Sequence, residues 1–375
     1  MSVTATREQV LAHRVRAQQL DRETGTLTDT AVLDLGAQDT GPDGGSWALA
    51  IRGLPKAEAV ADDLVLLWTL RGAPHFYRRD DVPSVLAAVA PWSDRDAAKR
   101  IFDASKPLRA KGIGTLDALD TVAAAMRSVV SEPMVKGEVS ARLGEPYVRF
   151  CRPCNSTHLY EQTFRLGATR AGLELEPGTS PPVLRPIVGL DRDSEGGREP
   201  AGAMPADAAH DVVRGYLRFF GPATAKHVAA FVDAPLAEVK AHWPSDVIEV
   251  QVDGDPRSMV EGDLERLLAD PLRITEGNTR LLGPYDLLLQ ARDRELMIAD
   301  PARRKALWPV LGRPGAVVEA GEIVGMWRPR AAGQRLTVTV ETWAAAGAAR
   351  RRRVEHEAER LAAHRGLSLK AVALT

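Results

Sequence analysis

What this 375-residue chain lacks narrows its class first. No run of eighteen apolar residues occurs, so nothing is long enough to span a membrane, and the start MSVTATREQV has no apolar core of the signal-peptide kind. The expectation is a cytoplasmic protein with no membrane partner. Cysteine is almost missing: two residues cannot build a disulfide framework, which agrees with a reducing compartment. An excess of one charge sign is missing too. A net charge of -1 excludes nothing about nucleic acid, because a DNA binder needs a local basic surface and not a basic total. Most of the basic residues are arginine, which suits bidentate phosphate contacts, although a GC-rich coding bias produces the same preference.

With 45% hydrophobic and 26% charged residues, the chain reads as soluble and globular, with room for two to four compact units. Thr6 and Gln9 form a capping box that predicts a helix through about Leu20. A short helix from Thr28 carries Val32, Leu33 and Leu35 into GAQDTG, whose glycines end it. GSWALAIRG predicts a further helix. ADDLVLLWTLRGAPHFYRRDDVPSVLAAV predicts a helix, an extended PHFYRR and another helix.

The middle of the chain is the clearest. DAAHDVVRGYLRFFG carries Val212, Val213, Tyr216, Leu217 and Phe220 on one helical stripe, and Gly221-Pro222 breaks it. TAKHVAAFV is a second helix, Asp233-Ala234-Pro235 a tight turn, and LAEVKAHW a third helix with Leu236, Val239 and Trp243 inward. VIEVQVDG then alternates as a strand. Three short helices followed by strands is the order of a winged helix-turn-helix. A related order precedes it: helices over TLDALDTVAAAMRSVV, EPMVKGEVSARLG (Pro133 near its start) and STHLYEQTFRLGATRAG, then LELEPG as strand and turn. Near the C-terminus AVVEAGEIVGMWRPRAAGQRLTVTVETW alternates around two glycine turns, and a final helix ends on Gly366.

The expected fold class is therefore α+β, with tandem winged helix-turn-helix units and a small C-terminal antiparallel β-barrel-like domain. The expected division is an N-terminal unit over 1–112, a second unit over 113–190, a linker at 191–204, a third unit over 205–274 and a β-rich domain with its helix over 275–375.

Several segments carry candidate chemistry. LDLGAQDTG, residues 33–41, packs Gln38 and Asp39 between small residues before Gly41-Pro42, as an active loop or as the end of a short helix. RGAPHFYRRDD places His75 among Arg71, Arg78 and Arg79 beside Phe76 and Tyr77, an interleaving that suits a nucleic-acid surface. Arg303, Arg304 and Lys305 form one possible phosphate contact. Arg350, Arg351, Arg352 and Arg353 form another, or a solvated helix start; cations at a helix N-terminus oppose the macrodipole. Asp286, Gln290, Arg292, Asp293 and Arg294 lie in an apolar frame, where such charges are more often structural than catalytic. Cys151 and Cys154 with His158 make a lone C-x-x-C, which is no zinc site without a second ligand pair, and a turn before a helix explains it.

Together, LGAQDTGPDGGSWALAIR, LRGAPHFYRRDD, YLRFFGPATAKHVAAFV, GPYDLLLQARDRE and GRPGAVVEAGEIVGMWR resemble, in order and across most of the chain, the winged-helix DNA glycosylases typified by AlkZ and YcaQ. The resemblance implies tandem winged helices, a C-terminal β-barrel-like part, and excision of bulky alkylated purines, N7-alkylguanines above all. Some members of that family look like self-resistance factors against DNA-alkylating natural products. It also implies a catalytic motif of Gln, an apolar residue, then Gln or Asp. Gly36-Ala37-Gln38 places Gln38 second; Ala37-Gln38-Asp39 places Asp39 in the acidic slot; either register lacks the first Gln.

An N7-alkylguanine is already cationic, so its glycosidic bond needs no strong acid. A carboxylate (Asp39) can stabilise the positive sugar and deprotonate water while an amide (Gln38) orients that water. Asp39 can instead cap the loop as an Asx-type turn. On this reading Arg71, His75 and Arg78 contact double-stranded DNA near the alkylated purine, Arg303, Arg304, Arg350, Arg351 and Arg352 hold phosphates, the enzyme works as a monomer, and no metal or organic cofactor is required. The competing reading is a DNA-binding protein without catalysis, a regulator or a lesion-binding shield.

Overall fold

The computed structural model describes residues 3–54, 61–152, 155–190, 209–269 and 278–375. The expected linker at 191–204 and Cys154 lie outside them.

Strand β1 (Val3–Ala5) and helix α1 (Arg7–Ala17) open the chain. The Thr6–Gln9 capping box is formed in both directions, as expected. A 3-10 turn over Ala31–Asp34 leads to strand β2 (Ala37–Gln38) and helix α2 (Gly44–Ala50). Strands β3 (Leu64–Trp68) and β4 (Pro74–Arg78) follow, then helices α3 (Val82–Val89), α4 (Asp94–Arg100) and α5 (Ser105–Ala110). The expected helix over LVLLW is thus a strand. All five of its residues are buried, with Leu64, Leu66 and Trp68 in the main core and Val65 and Leu67 packed with Tyr77, Val82 and Val85 behind it. A two-sided burial demands an unbroken apolar run, which periodicity cannot tell from a buried helix.

The next segment holds α6 (Thr115–Val129), β5 (Met134–Val135), α7 (Lys136–Arg142), a β6 (Val148–Cys151) and β7 (Ser156–Leu159) hairpin, α8 (Glu161–Arg170), β8 (Leu173–Leu175) and β9 (Val183–Pro186). STHL, expected to start the third helix, is the second hairpin strand, paired with Val148–Cys151. Pro133 precedes a strand and not a helix.

Helices α9 (Val212–Phe220), α10 (Ala225–Val232) and α11 (Leu236–Ala241) lead to strands β10 (Val247–Val252) and β11 (Asp255–Val260) and helix α12 (Leu264–Leu268). Asp211 caps α9 by accepting from the Val213 and Arg214 N–H groups, Thr224 caps α10, and Asp233 in the left-handed region ends it. β1 adds to this sheet in parallel beside β10, a pairing of distant residues that local patterning does not reveal.

The C-terminal part comprises β12 (Thr279–Leu282), α13 (Arg294–Met297), α14 (Pro301–Leu307), β13 (Gly315–Glu319), β14 (Glu322–Ala332), β15 (Arg335–Thr342), α15 (Ala348–His364) and β16 (Ser368–Leu374). The expected antiparallel barrel is instead an open five-stranded sheet in the order β12-β13-β14-β15-β16, and its last pair is parallel. A parallel neighbour requires a crossover. α15 supplies it, laying Val354, Ala358, Leu361 and Ala362 against the core.

One hydrophobic cluster runs from Leu11 on α1 through Val212 and Phe220 on α9 to Leu361 on α15, so the N-terminal loop region is packed directly against the C-terminal sheet. Two fully buried ion pairs reinforce that seam. Arg14 on α1 grips Asp293 through both carboxylate oxygens, and Arg52 after α2 grips Asp286 in the same way. Trp47 on α2 donates its indole N–H to Leu281 O on β12 at 2.7 Å.

Candidate active site

GAQDTG is built as a strand end folded onto a helix start. Gly36 takes φ +93°, and Tyr77 packs where its side chain would be. Ala37 and Gln38 then pair antiparallel with Phe76 and His75, and the Asp39 N–H continues the ladder to Pro74 O at 2.8 Å. The chain reverses through Gly41-Pro42 into α2, and Asp39 Oδ1 accepts the Gly45 N–H at 2.9 Å. Two glycines make that seat possible. A side chain on Gly44 would strike Asp39 Oδ1, and one on Gly45 would strike the Phe76 ring and Ala37 O.

The Asx-type turn anticipated for Asp39 is not what forms: its carboxylate instead caps the start of α2 six residues on, through one oxygen only. Oδ2 has no partner among the described residues. Burial pushes the Asp39 carboxyl above the usual aspartate range, partly countered by the Gly45 hydrogen bond. Beside it, the Gln38 amide donates from Nε2 to Thr40 Oγ1 at 3.0 Å, and its Oε1 is buried with no partner. Exchanging the amide O and N leaves the same position unsatisfied, so the site has one orphaned polar atom in either orientation.

His75 faces Gln38 across the strand pair and is only 3% exposed, so the expected direct contact with DNA is replaced by a place behind the loop. Its Nδ1 lies 2.9 Å from Ala73 O, an acceptor, so Nδ1 carries the proton. Nδ1 also approaches Thr69 Oγ1 at 3.0 Å. Thr69 reaches Tyr77 at 2.8 Å, and Tyr77 donates to Leu35 O at the root of the loop. Nε2 is left as a lone-pair acceptor without a partner among the described residues. Burial, then the nearby Arg71 charge, pulls the imidazole pKa down to about 3, so it is neutral at physiological pH.

Arg78 also departs from expectation. All five of its N–H donors are taken, by Asp34, Asp81 and the carbonyls of Leu27, Thr28 and Thr30, leaving none for a phosphate. Arg350 and Arg353 are paired with Glu319. Arg351 is exposed, and Arg352 lines a separate cleft shared with Glu23, Arg280 and Glu357. That basic run is not brought to the loop: Arg365, at the other end of α15, is the one that holds Asp43, and fifteen residues of helix span about 22 Å. Arg303 lies over the Trp343 ring and pairs with Asp300 at 3.5 Å, while Arg304 is tied to Ile298 O and Ala299 O.

What sequence reading missed is an arginine cluster drawn from three segments. Burial first, and then the Arg292 charge, lowers Arg71 to about 9. Burial lowers Arg292 as well, with the Arg313 charge adding to it. Arg294 falls to about 10, through burial and then Arg292 and Arg313. None of these four makes an ion pair among the described residues. Arg71 is held by Phe231 O at 2.5 Å and by Gln290, and Arg313 lies over the Tyr285 ring, while Arg292 Nε is buried and unpartnered. The two aspartates that looked like their partners are spent elsewhere: Asp286 on Arg52, Asp293 on Arg14 and Arg257. Asp233 offsets part of the charge on Arg71 and Arg292 but also pairs with Lys99 at 3.7 Å, so this half-buried cluster keeps an excess of positive charge that an anion would relieve.

Arg313 also lines a cleft of about 250 Å³, walled on one side by Thr40, Asp43 and Gly44 and on the other by Tyr285, Trp327 and Arg328. Among the described residues no group of three His, Cys, Asp or Glu side chains is arranged to hold a metal ion, and no helix is long and apolar enough to cross a membrane.

A carboxylate with a free oxygen and an unsatisfied amide, on a loop whose Thr40 and Gly44 line a cleft with Arg313, together with further arginines that lack carboxylate partners, suit chemistry on a polyanion. The solved structure of the Streptomyces sahachiroi DNA glycosylase AlkZ matches this fold with a TM-score of 0.73 over 100% of both chains, at 22% identity. No curated protein sequence matches the chain. The class is that of the DNA glycosylases: a family model described as DNA glycosylase AlkZ-like matches residues 34–364. The chain belongs to the AlkZ-like DNA glycosylase family.

Proposed function

We propose that the protein excises bulky, cationic N7-alkylguanines from double-stranded DNA by hydrolysing the N-glycosidic bond, with Asp39 as the catalytic carboxylate. The observation that carries this reading is the divided Asp39 carboxylate: Oδ1 is fixed by Gly45, while Oδ2 has no partner among the described residues, and the neighbouring Thr40 and Gly44 line the cleft. Oδ2 would stabilise positive charge building on the sugar and take the proton of the attacking water. The orphaned Gln38 amide atom and His75 Nε2, neighbours across the strand pair, would position that water. A neutral His75 suits the task, because an imidazolium would repel the cationic sugar.

Asp39 then occupies the acidic slot of the motif, and the missing first Gln is met in part by His75 from the opposite strand. Arg71, Arg292, Arg294 and Arg313 would take DNA phosphates, replacing Arg78 in that role. The helix and strand units at 113–190 and 205–274 are read as winged helices that, with the N-terminal unit, cradle the duplex. A monomer suffices for this work, in the cytoplasm, and self-resistance to a DNA-alkylating natural product is its proposed setting. The test is base release from a duplex carrying one bulky N7-alkylguanine adduct, read as alkali-labile abasic sites. Release by wild type that falls in Gln38→Ala is expected; salt-sensitive binding without release would leave a DNA-binding protein instead.

A further inference from the structure

We propose that the loop from Trp308 to Pro314 is an apolar wedge that enters duplex DNA between base pairs beside the lesion. Val310 and Leu311 at its tip are 95% and 85% exposed, more than any other large hydrophobic side chain among the described residues. The loop beneath them is built and not slack. Trp308 is buried, donates its indole N–H to Leu289 O at 3.1 Å and lies under the Arg294 guanidinium. Arg328 on β14 donates to Gly312 O at 2.8 Å, and prolines 309 and 314 flank the turn. A fixed stem therefore holds two aliphatic side chains out in water.

The surroundings select the occupant. Arg294, Arg313 and Arg328 stand around the stem, and none pairs with a carboxylate among the described residues. A second copy of the chain would bring the same unpaired arginines against these. A DNA duplex offers phosphates to the arginines and an apolar stack to the tip, and apolar side chains inserted between base steps are a general way to unstack and bend DNA. Position agrees with this. Arg313 lines the same cleft as Thr40 and Gly44, so the stem of the tip and the loop that carries Asp39 border one cleft and would address one stretch of duplex. Opening a base step there would expose the sugar of a lesion that otherwise stays stacked.

This inference rests on the glycosylase reading of the Gln38–Asp39 loop, and one experiment separates the two. The full chain and its V310S/L311S variant are bound to a duplex carrying 2-aminopurine next to a bulky N7-alkylguanine, and fluorescence and base release are recorded together. Wild type is expected to raise the fluorescence severalfold. The variant should lose that rise, keep the salt dependence of binding and release base roughly tenfold more slowly. Its rate should recover on a duplex whose neighbouring pair is mismatched and already unstacked. Unstacking that is lost in the variant supports the wedge even if neither protein releases base, an outcome that would sink only the glycosylase reading. An equal fluorescence rise in both proteins overturns the wedge. So does equal unstacking combined with a wild-type dimer that the variant cannot form, which would make the tip an interface between copies.

Discussion

Gly44 offers the sharpest test of how the loop is held. It sits at φ +42°, and a Cβ on it would lie 1.8 Å from Asp39 Oδ1. No such contact survives, so Gly44→Ala must push the carboxylate off the Gly45 N–H. Losing a hydrogen bond to a charged group costs about 1.5–3 kcal/mol. Forcing a side chain into the left-handed region adds about 1–2 kcal/mol. The single variant is therefore expected to lose about 2.5–5 kcal/mol. In an Asp39→Ala background the carboxylate is already gone, so only the backbone cost of about 1–2 kcal/mol remains. Urea unfolding of the wild type, both single variants and the double variant closes the cycle, with an expected coupling of about 1.5–3 kcal/mol. A Gly44→Ala cost that is the same in both backgrounds would refute the claim that Gly44 is small for the sake of Asp39.

Three further outcomes are expected. Asp286→Ala strands a fully buried Arg52 and should cost about 3–5 kcal/mol in urea unfolding, whereas a loss below about 1 kcal/mol would contradict the pairing. His13 and His75, both buried and held near 3, bind no proton in the fold where the unfolded chain binds one below about pH 6.5. Their contribution is whole above that pH and is lost as pH falls toward 3, by about 1.4 kcal/mol per unit for each, so a Tm that stays flat from pH 6.5 to 5 would count against it. Arg292→Gln should lessen the slope of log binding constant against log salt by about one phosphate; an unchanged slope would remove Arg292 from the DNA contact.

Local chemistry was legible in the sequence and distant pairing was not. Thr6 with Gln9, Gly221-Pro222 and Asp233-Ala234-Pro235 fix their helix ends through caps and breaks, which is why α1 and the α9–α11 run were readable. LVLLW misled because burial on two faces erases alternation. The parallel strands β1 and β16 depend on partners far along the chain, so the sheet could not be recognised as open from its hairpins. At the site, Gln38 and Asp39 stood out as polar residues in a small-residue turn. Their support did not: the need for Gly44 and Gly45 appears only once α2 folds back on Asp39. The arginine cluster was hidden by its neighbours, because Asp286 and Asp293 look like local partners and are taken by Arg52, Arg14 and Arg257.

The most direct measurement is single-turnover base release from a duplex carrying one bulky N7-alkylguanine by Asp39→Asn beside wild type, with Tm and duplex affinity measured on the same preparations. Asparagine keeps an oxygen for the Gly45 N–H and removes the charge. Because burial holds the Asp39 carboxyl above its ordinary range, losing that charge should leave Tm unchanged or raised. The predicted result is release slowed by about 100-fold or more in a folded protein that still binds DNA. Release at the wild-type rate would contradict the central claim and leave Asp39 as a cap for α2 and nothing more.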